Sequence, residues 1–120
     1  MSTFRDLKVY QKAFNLTMDI FNTNNSFPDY EKYDLTIQIR KSSRSVCASM
    51  SEAYRKRKYP AHFISKTTDA DMENSETQVW LDFALACKYI DRKIYDELIE
   101  RSDEIGRMLN HMIENPGKYE

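Results

Sequence analysis

The stretch DLKVYQKAFNLTMDIF, residues 6–21, decides the fold. Val9, Ala13, Leu16 and Ile20 recur at steps of four, three and four, the period of a helix that buries one face. Beside that seam runs a second apolar stripe, Tyr10, Phe14 and Phe21, wider than a single bundle core requires. Residues 22–29, with adjacent asparagines and Pro28, read as a loop. A second helix is expected over residues 30–56, with Leu35, Ile39, Val46, Met50 and Ala53 in one narrow sector. Ser42, Ser43 and Ser49 flank that sector and would let a neighbouring helix approach closely.

Pro60 suits the first turn of a third helix, where its missing N–H costs nothing. That helix is expected over residues 60–88, with Phe63, Ile64, Ala70, Val79, Trp80, Phe83, Ala84 and Cys87 as its apolar positions and a polar middle. It ends at a turn near Tyr89, Ile90 and Asp91. A fourth helix over residues 92–114 carries Ile94, Leu98, Ile105, Leu109 and Met112, with Tyr95, Ile99 and Ile113 as a second stripe. Asn115, Pro116 and Gly117 stop it. Short connections between long helices favour an all-α, antiparallel up-down-up-down four-helix bundle, a single domain over residues 1–120. The doubled stripes on helices one and four point to contact with another copy, or else broaden an ordinary core.

Two glycines and three prolines are too few turn residues for an all-β chain. Cys47 and Cys87 lack metal or redox spacing, and their apolar neighbours suggest buried, reduced thiols. No apolar run reaches the ~20 residues of a membrane span, and residues 1–12 lack the hydrophobic core of a signal peptide. A cytoplasmic protein without membrane contact is expected.

A net charge of −1 conceals a split. Residues 32–66 hold nine Lys or Arg against two acids, and residues 69–120 hold six against thirteen. Arg40, Arg44 and Arg55 fall within about 60° on the helical wheel, Lys41 borders them, and Lys56, Arg57 and Lys58 carry the charge into the following loop. Several cations in one strip are what phosphate binding needs, because they displace counterions together. Tyr54 or Tyr59 could stack on an unpaired base. The alternative is a solvated face, or a strip that meets acids such as Asp69, Asp71, Glu73 and Glu76 at an interface. Nothing resembles a base-reading motif, so any binding would be sequence-tolerant.

The segment SVCASMSEAYRKRKY at 45–59 resembles the central signature of the small four-helix-bundle family named for proteins encoded by intervening sequences in bacterial 23S ribosomal RNA genes. FRDLKVYQKA at 4–13, FPDYEKYDLTIQIRKSSRSV at 27–46, ETQVWLDFALACKYID at 76–91 and NPGKY at 115–119 agree in order. The chain also resembles the accessory variability proteins of diversity-generating retroelements, which share the bundle. The resemblance implies a homopentamer with a basic surface for RNA or DNA and, among the retroelement relatives, a reverse transcriptase as protein partner. It assigns nucleic-acid contact to Arg40, Lys41, Arg44, Arg55, Lys56, Arg57 and Lys58, and structural roles to Glu52 and Trp80. Two departures stand out: Ala53 and Tyr54 replace a family glycine, which lengthens helix two, and Lys88 replaces a common glycine before the Tyr-Ile turn.

The competing class is an enzyme. A di-iron bundle needs Glu-x-x-His pairs, but Tyr59 and Met108 stand three residues before His62 and His111. Asp69, Glu73 and Glu76 are acids at a spacing more typical of a solvated face than of a metal site. Cys47 has Arg44 one turn away but no assured histidine partner, and no glycine-rich phosphate loop exists. The sequence predicts a non-enzymatic protein with no cofactor.

Overall fold

The computed structural model describes residues 2–119. Four long helices, α1 (Lys8–Thr23), α2 (Leu35–Arg55), α3 (Pro60–Ala86) and α4 (Arg92–Glu114), account for most of them, and the described residues include no strand. Local chemistry sets each boundary. Thr3 Oγ1 accepts from the Arg5 N–H and the Asp6 carboxylate accepts from the Thr3 N–H, closing a short 3-10 turn over Phe4–Asp6. Leu7 is therefore extended, and α1 starts two residues after the predicted position. Helix α2 starts at Leu35 rather than at residue 30. The Glu31 carboxylate accepts from the Leu35 N–H (3.3 Å) and from the Tyr89 hydroxyl (2.7 Å), which holds Asp29–Glu31 as a separate turn.

Helix α3 starts at Pro60 as expected, and it ends at Ala86 because Lys88 turns left-handed (φ 64°). The Lys88 N–H bonds the Leu85 carbonyl and the Tyr89 N–H bonds the Ala84 carbonyl, both at 2.9 Å. This is the paired hydrogen-bond pattern that closes a helix on a left-handed residue, made here without the usual glycine. Asp91 then caps α4 through the Ile94 N–H (2.8 Å), and α4 spans the predicted residues.

Each helix packs on its neighbours in the chain, and α1 also packs on α4. Val9, Ala13, Leu16 and Ile20 of α1 are buried, as are Leu98, Ile105, Leu109 and Met112 of α4. The α3 seam differs from the sequence expectation. Phe63, Thr67, Ala70, Asn74, Thr77, Leu81 and Ala84 face the core, whereas Val79, Phe83 and Cys87 are exposed. The buried seam of α3 therefore runs straight through its polar middle.

Those polar groups are paired, as burial demands. The Asn74 amide donates to the Ser102 carbonyl (2.9 Å) and accepts from the Ser102 hydroxyl (2.8 Å). Thr77 donates to Ser42 (2.9 Å), and Thr17 donates to the Ser43 carbonyl (3.0 Å). Gly106 faces the layer: a Cβ there would lie 3.5 Å from the Asn74 amide nitrogen. A void of about 10 Å³ remains among Thr17, Ser43, Asn74 and Thr77, room for about one water molecule.

The second stripes divide. Tyr10, Tyr95 and Ile99 are half-buried against the core, but Phe14 is 47% exposed and Phe21 38%. The cysteines divide too. Cys47 is half-buried, and burial pushes its thiol up despite the Thr17 hydroxyl beside it, whereas Cys87 is exposed, against the expectation of two buried thiols.

Candidate nucleic-acid interface

The predicted basic residues occupy two stations on α2. A helix rises about 1.5 Å per residue, so Arg40 and Arg55 stand about 22 Å apart along it. At the first station Arg40 is held in place. Its Nε donates to the Asn24 side chain (2.9 Å), and its guanidinium lies over the Phe21 ring, 4.7 Å from the centroid. Arg44 lies farther over the same ring, at 5.8 Å, and is exposed. Lys41 is exposed beside them. Phe21, a residue the sequence reading placed in a separate stripe, thus joins α1 to this station. The sequence shows only that two arginines stand four residues apart on α2; that Phe21 lies opposite them follows from the packing of α1 on α2.

At the second station the chain leaves α2. Arg55, Lys56 and Lys58 are exposed. Arg57 folds back, its guanidinium 3.6 Å from the Tyr54 ring centroid and its Nη1 donating to the Tyr54 carbonyl (3.1 Å). Tyr54 is itself held by a hydroxyl contact to Ser2 (2.6 Å). Tyr59 is 60% exposed, with the Lys56 ammonium 5.9 Å from its ring centroid. Two cations and two aromatic rings therefore share one end of the molecule with Arg55 and Lys58. Among the described residues, none of the seven predicted cations forms an ion pair.

The acids named as possible partners are placed elsewhere. Glu73 accepts from Ser49 (2.6 Å), and Asp69 lies 3.8 Å from Lys66, whose ammonium also meets Glu52 at 2.6 Å. That last contact holds the Lys66 pKa above its ordinary value. Partial burial pushes the Asp71 carboxyl up. Among the described residues no group of three His, Cys, Asp or Glu side chains is arranged to hold a metal ion. His111 meets the Tyr119 hydroxyl (2.9 Å), and His62 packs edge-on to Tyr59.

A second surface was missed by the sequence reading. Glu31, Asp34, Leu35, Trp80, Phe83 and Cys87 border a groove of about 300 Å³ between the start of α2 and the end of α3. Trp80 lies tilted against Phe83, ring centroids 6.1 Å apart, with its indole N–H enclosed and unpartnered among the described residues. Among the described residues, no helix is long and apolar enough to cross a membrane.

Residues 5–111 match the family described as 23S rRNA-intervening sequence protein. A crystal structure from Bacteroides thetaiotaomicron, of a protein with unknown function from the S23 ribosomal protein family, is similar at 29% identity with a TM-score of 0.80. The similarity covers 88% of this chain and 95% of that one. No curated protein matches the chain.

Proposed function

The chain belongs to the 23S rRNA-intervening sequence protein family, and on that premise we propose that it is a non-enzymatic, oligomeric scaffold that binds RNA or DNA through phosphates. The subunit is an antiparallel up-down-up-down bundle. Supporting this, Ser2, Thr17 and Asn24 meet Tyr54, Ser43 and Arg40, so that ascending positions before, along and just after α1 face descending positions on α2. A homopentamer is the assembly the family resemblance implies, and the exposed Phe14, Phe21, Val79 and Phe83 support self-association.

The observation that carries nucleic-acid binding is the second station. Arg55, Lys56, Arg57 and Lys58 are consecutive and without ion pairs among the described residues, and Tyr54 and Tyr59 stand beside them. Cations spent on internal ion pairs release no counterions when a phosphate arrives; these are available to do so. Repetition around an oligomer would add individually weak contacts into one multivalent surface.

The test is fluorescence anisotropy of labelled single-stranded DNA and structured RNA across a salt series, with oligomer mass measured in parallel. Each phosphate contact contributes about 0.7 to 0.9 to the log–log salt slope, so full use of this station in one subunit gives a slope of about −3. The triple variant Arg55→Glu, Lys56→Glu, Lys58→Glu is expected to keep its mass and lose binding. No binding by the folded wild-type protein at low salt would overturn the proposal and turn attention to a protein partner.

A further inference from the structure

The first basic station and the missed groove are complementary. The station offers exposed Phe14, Met18 and Phe21 on α1 with two guanidiniums, Arg40 and Arg44, over Phe21. The groove offers Trp80 and Phe83, the latter 53% exposed, with the carboxylates of Glu31 and Asp34 at its rim. Glu31 is already committed to Tyr89 and the Leu35 N–H, but no side-chain partner engages Asp34 among the described residues. Neither acid forms an ion pair there, and neither arginine does.

An acidic, aromatic groove repels a phosphate backbone and favours a cationic, apolar guest. This chain carries such a guest on its own surface. Within one subunit the two patches lie on different sides of α2: Arg40 reaches the end of α1, whereas Leu35 and Gln38 line the groove with α3 residues. They therefore do not meet in the subunit as folded.

We infer that the Phe21–Arg44 face of one copy docks into the Asp34–Trp80 groove of a second copy, with Arg44 pairing to Asp34 across the contact. The interface is heterologous, because the two patches differ, and so an open chain of copies keeps one free face and one free groove at its two ends until the assembly closes on itself. This assignment rests on the oligomer reading above and refines it. The first station serves assembly, which leaves the second station, about 16 Å along α2 from Arg44 to Arg55, for nucleic acid.

The test is charge exchange read by analytical ultracentrifugation. Asp34 and Arg44 are exposed and make no side-chain hydrogen bond or ion pair among the described residues, so Asp34→Arg and Arg44→Asp should each keep wild-type helical circular dichroism. Each single variant is expected to weaken assembly at least tenfold in dissociation constant, and the double variant in one chain to recover it. Single variants that retain wild-type mass would overturn the assigned interface while leaving an oligomer intact. A wild-type chain that sediments as a monomer at micromolar concentration would instead remove the oligomer reading itself. If Arg44→Asp keeps its mass but loses nucleic acid, Arg44 belongs to that ligand and the docking assignment fails.

Discussion

Replacing Lys88 with glycine should make this protein more stable, although glycine is usually a costly substitution. Lys88 sits at φ 64°, where its Cβ crowds the backbone. A left-handed L residue costs about 1 to 2 kcal/mol. The side chain is exposed and forms no ion pair among the described residues, so its removal forfeits little. Glycine returns about 0.5 to 1 kcal/mol through the freedom it gains in the unfolded chain. The expected net gain is about 0.5 to 1 kcal/mol, or about 2 to 5 °C in Tm for a domain of this size. Urea titration should show a higher midpoint with an unchanged slope. Lys88→Ala, which keeps the Cβ and removes the charge, should stay within about 0.5 kcal/mol of wild type. A glycine variant no more stable than wild type would refute the reasoning, and a large loss in the alanine variant would mean that the lysine itself makes a contact.

Two further perturbations probe the interior and the tyrosines. Asn74→Ala removes both hydrogen bonds to Ser102 and leaves that buried hydroxyl without its acceptor; the expected loss is about 2 to 3 kcal/mol in urea titration, and a loss below about 0.5 kcal/mol would show that the layer is not structural. Hydrogen bonds to Tyr30 and Glu31 raise the Tyr89 pKa, and the bond to Asp82 raises that of Tyr95, both from an ordinary 10.0. The folded state thus holds these protons more tightly than the unfolded state, so their contribution is complete below about pH 10 and declines as pH rises above it. Urea midpoints between pH 8 and 11 should fall at the alkaline end, less steeply in Tyr95→Phe, and a flat profile would contradict the shifts.

Much of this architecture is legible in the residues, and the failures have physical causes. Helix α4 is readable to both ends because Asp91 is a capping residue and the seam at Leu98, Ile105, Leu109 and Met112 is apolar. The core seam of helix α3 is legible only in part, at Phe63, Ala70 and Ala84, because it keeps the four-three rhythm while substituting Thr67, Asn74 and Thr77 for apolar residues. A search for hydrophobicity alone passes over such a seam and settles on Val79, Phe83 and Cys87, which are outside. The start of α2 is set by Tyr89, distant in sequence, acting through Glu31, so no local pattern announces it. At the candidate site, the wheel places Arg40, Arg44 and Arg55 on one face. It carries no information that Asn24 and Phe21 secure the first of them while Tyr54 secures Arg57.

The twin stripes of α1 raise a problem of identity for that helix. Tyr10, Phe14 and Phe21 each follow a core residue by one position, so a turn of about 100° about its own axis would present them inward in place of Val9, Ala13 and Ile20. By apolar area alone that rotamer of the whole helix is attractive. Thr17 opposes it: its hydroxyl reaches the Ser43 carbonyl only in the observed setting, and the small Ala13 leaves no room for a ring at the core. One threonine and one alanine thus act as a compass needle: they fix which stripe of α1 faces inward, and Phe14 and Phe21 are left at the surface.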